Sequence, residues 1–263
     1  MPSLRPQYLD QKFRVGLPSI NHITTDTYLM TTRNLPRPNK IDALRRIREC
    51  DIPIHQVIDV GVQYQTWELI AAFPDKRQHL FEPASIYFPH IKRFYENIDY
   101  ALYPFALAGD NQKKYMVVSS LTGDGIPGRS EILENPVEPD GRTVISCSPI
   151  ELRRFFDLDI DVSQDLLLKV DVDGMDLEVL KGFGEKLQLA SVIIVESTAD
   201  NMPRLIAYVA GAGFELFDIC DLCYYGPAVY QVDLVFVRKD AVTPRVRPSI
   251  MQFDQDIWTA FAQ

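Results

Sequence analysis

The chain has 263 residues, 46% of them hydrophobic, with 27 Lys and Arg against 36 Asp and Glu for a net charge of −9. That apolar content supplies a sizeable core and argues against a disordered chain, and the acidic balance argues against nucleic acid as the main partner. No window approaches a membrane-spanning apolar run and the N-terminus MPSLRPQYLDQKFRVG carries no apolar leader, so the expectation is a cytoplasmic protein without a membrane span.

Residues 1–40 hold Pro2, Pro6, Pro18, Pro36 and Pro38 with little periodicity, which predicts an N-terminal arm or lid. The main domain is expected over 41–240 and a tail over 241–263, with a short helix from Lys40 to Cys50 leading in. HQVIDVG (55–61) reads as a buried strand, TWELIAAF (66–73) as a helix with Trp67 in the core, HLFEP (79–83) as a strand and 84–97 as a helix. ALYPFALA (101–108) reads as a third strand, followed by a polar hairpin-like insertion in which 113–120 is strand-like and TGDGIPG is turn chemistry. SPIELRRFF (148–156) predicts a helix, with a serine N-cap, proline at its first position and Glu151 completing a capping box.

LLLKVDVD (166–173) is the fourth strand, with a helix from about Met175 to Lys181 and a fifth strand at SVIIVES (191–197). A helix around MPRLIAYVAGAG precedes two strands, FELFDIC and YQVDLVFVRKD, joined by a Tyr/Gly/Pro loop and expected to pair antiparallel. Alternating strands and helices imply an α/β fold with a mostly parallel sheet of seven strands. The four cysteines offer one CxxC and no metal-ligand set, so they read as reduced thiols. The four histidines are scattered and read as surface or strand-end packing.

In KVDVDG, period-2 geometry puts Lys169, Asp171 and Asp173 on one strand face at the carboxyl end of the sheet, where open α/β folds bind ligands. The bland alternative is that the carboxylates cap the next helix or pair with Lys169. The loop IDVGVQYQT (58–66) has one glycine, with Gln63 and Thr66 where a dinucleotide fingerprint needs two more, so a pyrophosphate cradle and a nicotinamide enzyme are disfavoured. Glu82, about twenty residues on, stands where an acid hydrogen-bonds ribose hydroxyls.

IDVGVQ, LFEP, KVDVDGMDLEVLKG, IIVES and QVDLVFVRK resemble, in order and spacing over about 55–240, the FkbM-type methyltransferases. The resemblance implies a Rossmann-like class I methyltransferase fold, S-adenosylmethionine as cofactor, and methyl transfer to a hydroxyl of a sugar, glycan or secondary-metabolite acceptor. It assigns Asp59 and Gly61 to the cofactor loop, Glu82 to the ribose, and Asp171 with Gly174 to the fourth-strand motif. Gln63, Tyr64, Gln65, Thr66, Pro83, Ala106 and Leu107 complete the expected cofactor contacts. Two departures stand out: Gln65 where many members have glycine, and Asp173 in place of the commoner glutamate.

For the chemistry, Asp171 or Asp173 is the candidate general base, Lys169 the group that tunes it, and Glu196 at the end of the fifth strand a further carboxylate. Three carboxylates in one crevice are also a donor set for a divalent cation, and the residues alone do not choose. Tyr224 and Tyr225, with Gly226 and Pro227, are candidates for an acceptor wall. The tail's apolar stripe through Ile257 and Phe261 offers a cover for the site or a surface for a homo-oligomer. The alternative function is a scaffold that keeps the fold and has lost turnover through Gln65.

Overall fold

The computed structural model describes residues 38–243 and 246–247. The expected N-terminal arm before residue 38 and the Ile257/Phe261 stripe lie outside the described residues.

Helix α1 (Lys40–Glu49) begins at Asn39, whose Oδ1 accepts the Asp42 amide at 2.8 Å, and buries Ala43, Leu44 and Ile47 on one stripe. The chain continues through β1 (Gln56–Val60), α2 (Trp67–Ala72), β2 (Arg77–Phe81), α3 (Phe88–Phe94) and β3 (Tyr100–Tyr103). After an insertion come β8 (Leu166–Val170), α4 (Asp176–Phe183), β9 (Ala190–Thr198), α5 (Met202–Gly211), β10 (Phe214–Tyr225) and β11 (Ala228–Arg238). These build a seven-stranded sheet in the order β10-β11-β9-β8-β1-β2-β3, parallel except that β11 runs antiparallel to both of its neighbours. The expected α/β fold and closing hairpin are therefore present.

Between β3 and β8 the expectation was too simple. Residues 101–108 are not one strand, because Pro104 interrupts them; β3 stays in the main sheet and β4 (Ala106–Leu107) joins a second one. That second, four-stranded sheet has the order β4-β7-β5-β6, with β5 (Gln112–Ser119), β6 (Arg129–Leu133) and β7 (Val144–Arg153). The helix expected over 148–156 is absent: Val144–Arg153 pairs antiparallel with β5, burying Ile150 and Leu152 while Glu151 and Arg153 face out. Pro149 is tolerated because β4 reaches only Leu152 and Arg153, leaving that edge of β7 without a partner. A local capping signal lost to a strand partner some thirty residues away.

Each main-sheet face has its own core. Ile58, Leu168, Ile193 and Phe236 meet α4 and α5 through Val179, Phe183 and Leu205. Val57, Leu167, Ile194 and Val235 meet α1 and α2 through Leu44, Ile47 and Leu69. Trp67, expected in the core, is instead 50% exposed at the start of α2. His79 is also deeper than expected; it is buried in β2, with Nδ1 3.0 Å from the Tyr103 hydroxyl, and burial lowers its pKa to about 4, so it stays neutral.

The glycine of the Leu-Lys-Gly run has a packing reason. A Cβ on Gly182 of α4 would lie 2.0 Å from the Ala108 carbonyl oxygen, just after β4. Gly182→Ala must push the second sheet off α4, and we expect a loss of about 3 kcal/mol, read as a lower urea midpoint at unchanged slope.

Candidate functional site

On the α1/α2 face, each central strand is apolar at its lower end and charged at its upper end. Register pairs Asp59 of β1 with Lys169 of β8, and Glu196 of β9 with Asp233 of β11. The result is a charged row across the carboxyl ends of the parallel strands. Lys169 is buried, with Nζ 3.3 Å from Asp59 Oδ1 and 3.2 Å from Asp171 Oδ2, and it donates to the Gly61 carbonyl at 3.3 Å. Burial opposes its charge, but Asp171 and Asp59 hold its pKa well above the ordinary lysine value.

Period 2 does not carry through the motif. Strand β8 ends at Val170; Asp171 still donates its amide to Val60 O at 3.0 Å, but Asp173 has φ 49° and Gly174 φ 95°. Asp176 holds this turn, accepting the Val172 amide on Oδ1 at 3.1 Å and the Gly174 amide on Oδ2 at 3.2 Å. Asp171 and Asp173 thus do not share the alternation of one strand, and Asp171 pairs with Lys169. Neither caps α4, whose N-cap residue is Met175.

Their acidities diverge accordingly. Burial would raise Asp171, but Lys169 and then Lys40 outweigh it and keep the carboxyl below its usual range. Asp173, open to solvent on one side, is raised by desolvation and by the neighbouring Asp171. Glu196 is pushed up to about 9 by burial and by Asp171, so at neutral pH it keeps its proton and hydrogen-bonds Asp171. Gln231 donates its side-chain amide to Glu196.

Two cavities meet at this strand end, both lined by Gly61, Gln63, Asp171 and Asp173. The first, of about 270 Å³, gathers Glu82, Pro83, Ala106 and Leu107 beside Phe81 and Met116, with Arg129 to Ile132 of β6 forming a wall. The second, of about 360 Å³, holds Tyr64, Gln65, Thr66, Trp67, Lys169 and Glu196, with Lys40 at its edge. Asp59 reaches neither; its fully buried carboxylate sits behind Lys169. Tyr64 also packs edge-on against Tyr87 and His90, at 4.9 and 5.0 Å between ring centroids.

The first cavity suits a nucleoside. Glu82 is buried, with one oxygen accepting the Gln63 amide and the other the Ala84 amide, each at 2.8 Å. Each oxygen retains a lone pair for a ribose hydroxyl. Burial raises its pKa to about 7 despite those amides. Gly61, at φ 83°, passes so close to β8 that a Cβ would lie 1.9 Å from the Asp171 carbonyl oxygen. Gln65, which stands where many family members have glycine, is not among the left-handed residues of the loop; that backbone falls on Gln63, φ 50°.

Three further residues of the site, Lys40, Asp176 and Asp233, stand outside the candidates named from the sequence. Lys40 bridges Asp233 at 2.7 Å and Asp221 at 3.7 Å, tying α1 to the hairpin. Asp233 was visible as a lone acid inside the apolar run QVDLVFV, and Asp176 as an acid in a helix's first turn. Among the described residues the one clustered donor set is Cys220, Asp221 and Asp233, and its cation is Lys40; Asp171, Asp173 and Glu196 do not form such a set. No helix among the described residues is long and apolar enough to cross a membrane.

Among solved structures, the precorrin-6y C5,15-methyltransferase from Geobacter metallireducens GS-15 is similar over 75% of this chain and 86% of its own, at 13% identity and a TM-score of 0.42. TrmK from M. capricolum, in complex with S-adenosyl-homocysteine, is similar over 74% and 68%, at 11% identity and a TM-score of 0.39. TYW2 from M. jannaschii, in complex with AdoMet, is similar over 76% and 77%, at 15% identity and a TM-score of 0.38. No curated protein matches. The model of the methyltransferase FkbM domain matches residues 57–216, from β1 into β10 and more than half of the chain, so the protein belongs to that family and is an S-adenosylmethionine-dependent methyltransferase.

Proposed function

We propose that this chain methylates a hydroxyl oxygen on a sugar, glycan or secondary-metabolite acceptor, with the cofactor's nucleoside in the Glu82 cavity and the acceptor in the cavity beside Lys169. S-adenosylmethionine, when bound, supplies an electrophilic sulfonium methyl. The chain's own contribution is to hold an acceptor hydroxyl at the junction of the two cavities and to take its proton. Asp173 is the base in this reading. The observation that carries it is that, of the two carboxylates lining both cavities, Asp171 is paired with buried Lys169 whereas Asp173 has raised basicity and no such ion pair. Asp171 is held as an anion by Lys169, and Glu196 keeps its proton to hydrogen-bond Asp171. Glu82 holds the ribose, Gly61 and Gln63 form the turn between the cavities, and Pro83, Ala106 and Leu107 line the space for the cofactor's adenine.

Titration with S-adenosylhomocysteine tests the donor half. Ribose hydroxyls need the carboxylate form of Glu82, which the free protein reaches only as pH rises through about 7. For the free protein, stability contributed by the raised Glu82 pKa is present below the unfolded value of about 4.3 and lost through the folded value. Affinity for S-adenosylhomocysteine, measured by calorimetry, should therefore rise with pH by up to about tenfold per unit below pH 7 and level off by about pH 8. Glu82→Gln should remove that dependence and weaken binding by about tenfold to a hundredfold, the worth of a charged hydrogen bond. No binding at millimolar ligand would reject the donor assignment. Transfer of labelled methyl to nitrogen or carbon, and not to oxygen, would reject the acceptor assignment.

A further inference from the structure

The acceptor cavity does not end at the charged row. Trp67 and Glu68 line it and also line a groove of about 540 Å³ between α1 and α2, whose other walls include Ile41, Arg45 and Ala71. Trp67 is 50% and Ile41 45% exposed, whereas Leu69, two residues along α2, is fully buried and supplies the core contact. The indole is therefore not spent on packing. It offers an apolar face between two cavities, bordered by groups that accept hydrogen bonds.

The charges narrow what can lie there. The cavity holds Glu68, Asp171, Asp173 and Glu196 against Lys40 and Lys169. Both ammonium groups are already bound, Lys169 to Asp59 and Asp171 and Lys40 to Asp233. The groove is balanced, with Arg45 and Arg48 against Glu49 and Glu68, and Arg45 is paired with Asp42 and Glu49 at 3.1 Å each. A phosphate or carboxylate on the reacting unit would meet surplus carboxylates and, among the described residues lining the cavity, no uncommitted cation. Hydroxyls and ammonium groups meet acceptors, and the C–H face of a sugar ring meets the indole.

Resting on the O-methyltransferase reading, we propose that the acceptor is an uncharged or amino-bearing oligosaccharide of at least two units, with the reacting unit beside Asp173 and the next stacked on Trp67 in the α1–α2 groove. Helix α1 supplies one wall of this second subsite from outside the matched family segment, and α2 supplies the other, with Trp67, from inside it.

The chain has two tryptophans, Trp67 and Trp258, so Trp258→Phe leaves Trp67 as the sole indole reporter. With S-adenosylhomocysteine present, its fluorescence is titrated with glucosamine, the glucosamine disaccharide, cellobiose and glucose 6-phosphate. A saturable change is expected with both disaccharides, at least about tenfold tighter than with the monosaccharide, and weakest with the phosphate. Ala71→Arg, which fills the groove, should erase the disaccharide advantage. Equal affinity for one and two units, tightest binding of the phosphate, or no saturable change would overturn the proposal. Labelled methyl transfer on the same panel separates the two readings. Transfer with no Trp67 response overturns the subsite and keeps O-methylation, whereas a saturable response with no transfer keeps the subsite and overturns O-methylation.

Discussion

Asp173→Asn is expected to lower kcat by about 10²–10⁴-fold, the worth of a positioned general base, while S-adenosylhomocysteine affinity stays within about twofold. Asparagine is the right probe because Asp173 sits at φ 49°, a region that asparagine and aspartate tolerate better than other non-glycine residues. The turn, held by Asp176 through the Val172 and Gly174 amides, therefore survives the change. Asp171→Asn should behave differently, losing stability more than rate, because that carboxylate is committed to Lys169 at 3.2 Å. Steady-state kinetics beside urea unfolding of both variants decides the assignment. A large rate loss in Asp171→Asn with near-normal turnover in Asp173→Asn would move the base to Asp171.

Lys169→Met should be the most damaging single change to stability in the site, costing about 3–5 kcal/mol, as when one member of a buried ion pair is removed. Asp59 is fully buried and its carboxylate accepts no hydrogen bond among the described residues, so Lys169 at 3.3 Å is its counter-charge. Against a typical net stability of about 5–15 kcal/mol, that loss is large. Adding Asp59→Asn should recover part of it, with a coupling of about 1–3 kcal/mol in a double-mutant cycle. The network's pH window follows from the shifted groups. The raised Lys169 pKa contributes stability that is full below its unfolded value of 10.5 and lost at higher pH, while the lowered Asp171 pKa contributes above its unfolded 3.8 and is lost as pH falls. Denaturation midpoints followed from pH 3 to pH 8 should show the acid loss blunted in Lys169→Met. An unchanged midpoint in that variant at pH 7 would refute the ionic lock.

Much of the site's position was legible in the chain. The apolar strands around Asp59, Glu82, Lys169 and Glu196, with intervening helices, imply a mostly parallel sheet, and QVDLVFV implies the returning hairpin. Burial on both faces makes such strands read as continuous apolar runs, which is a local signal. The second sheet was not legible. SPIELR carries a helix-capping pattern and period-2 alternation at once, and only pairing with residues 112–119 selects the strand. The division of labour between Asp171 and Asp173 was hidden for a related reason, since a continuous strand would have put them on one face. The strand stops at Val170, and the turn held by Asp176 separates them.

By itself the sequence determined the fold class, the mostly parallel sheet with its closing hairpin, the family likeness and which strand ends carry charge, because hydrophobic periodicity and short motifs are properties of neighbouring residues. Only the tertiary structure decided how those charges are shared. Lys169 neutralises Asp59 and Asp171, Lys40 reaches from α1 to Asp233, Glu196 keeps its proton, and Trp67 turns outward. Each of these depends on distance and burial between segments far apart in the chain, and electrostatic energy in a low-dielectric interior is set by those two quantities.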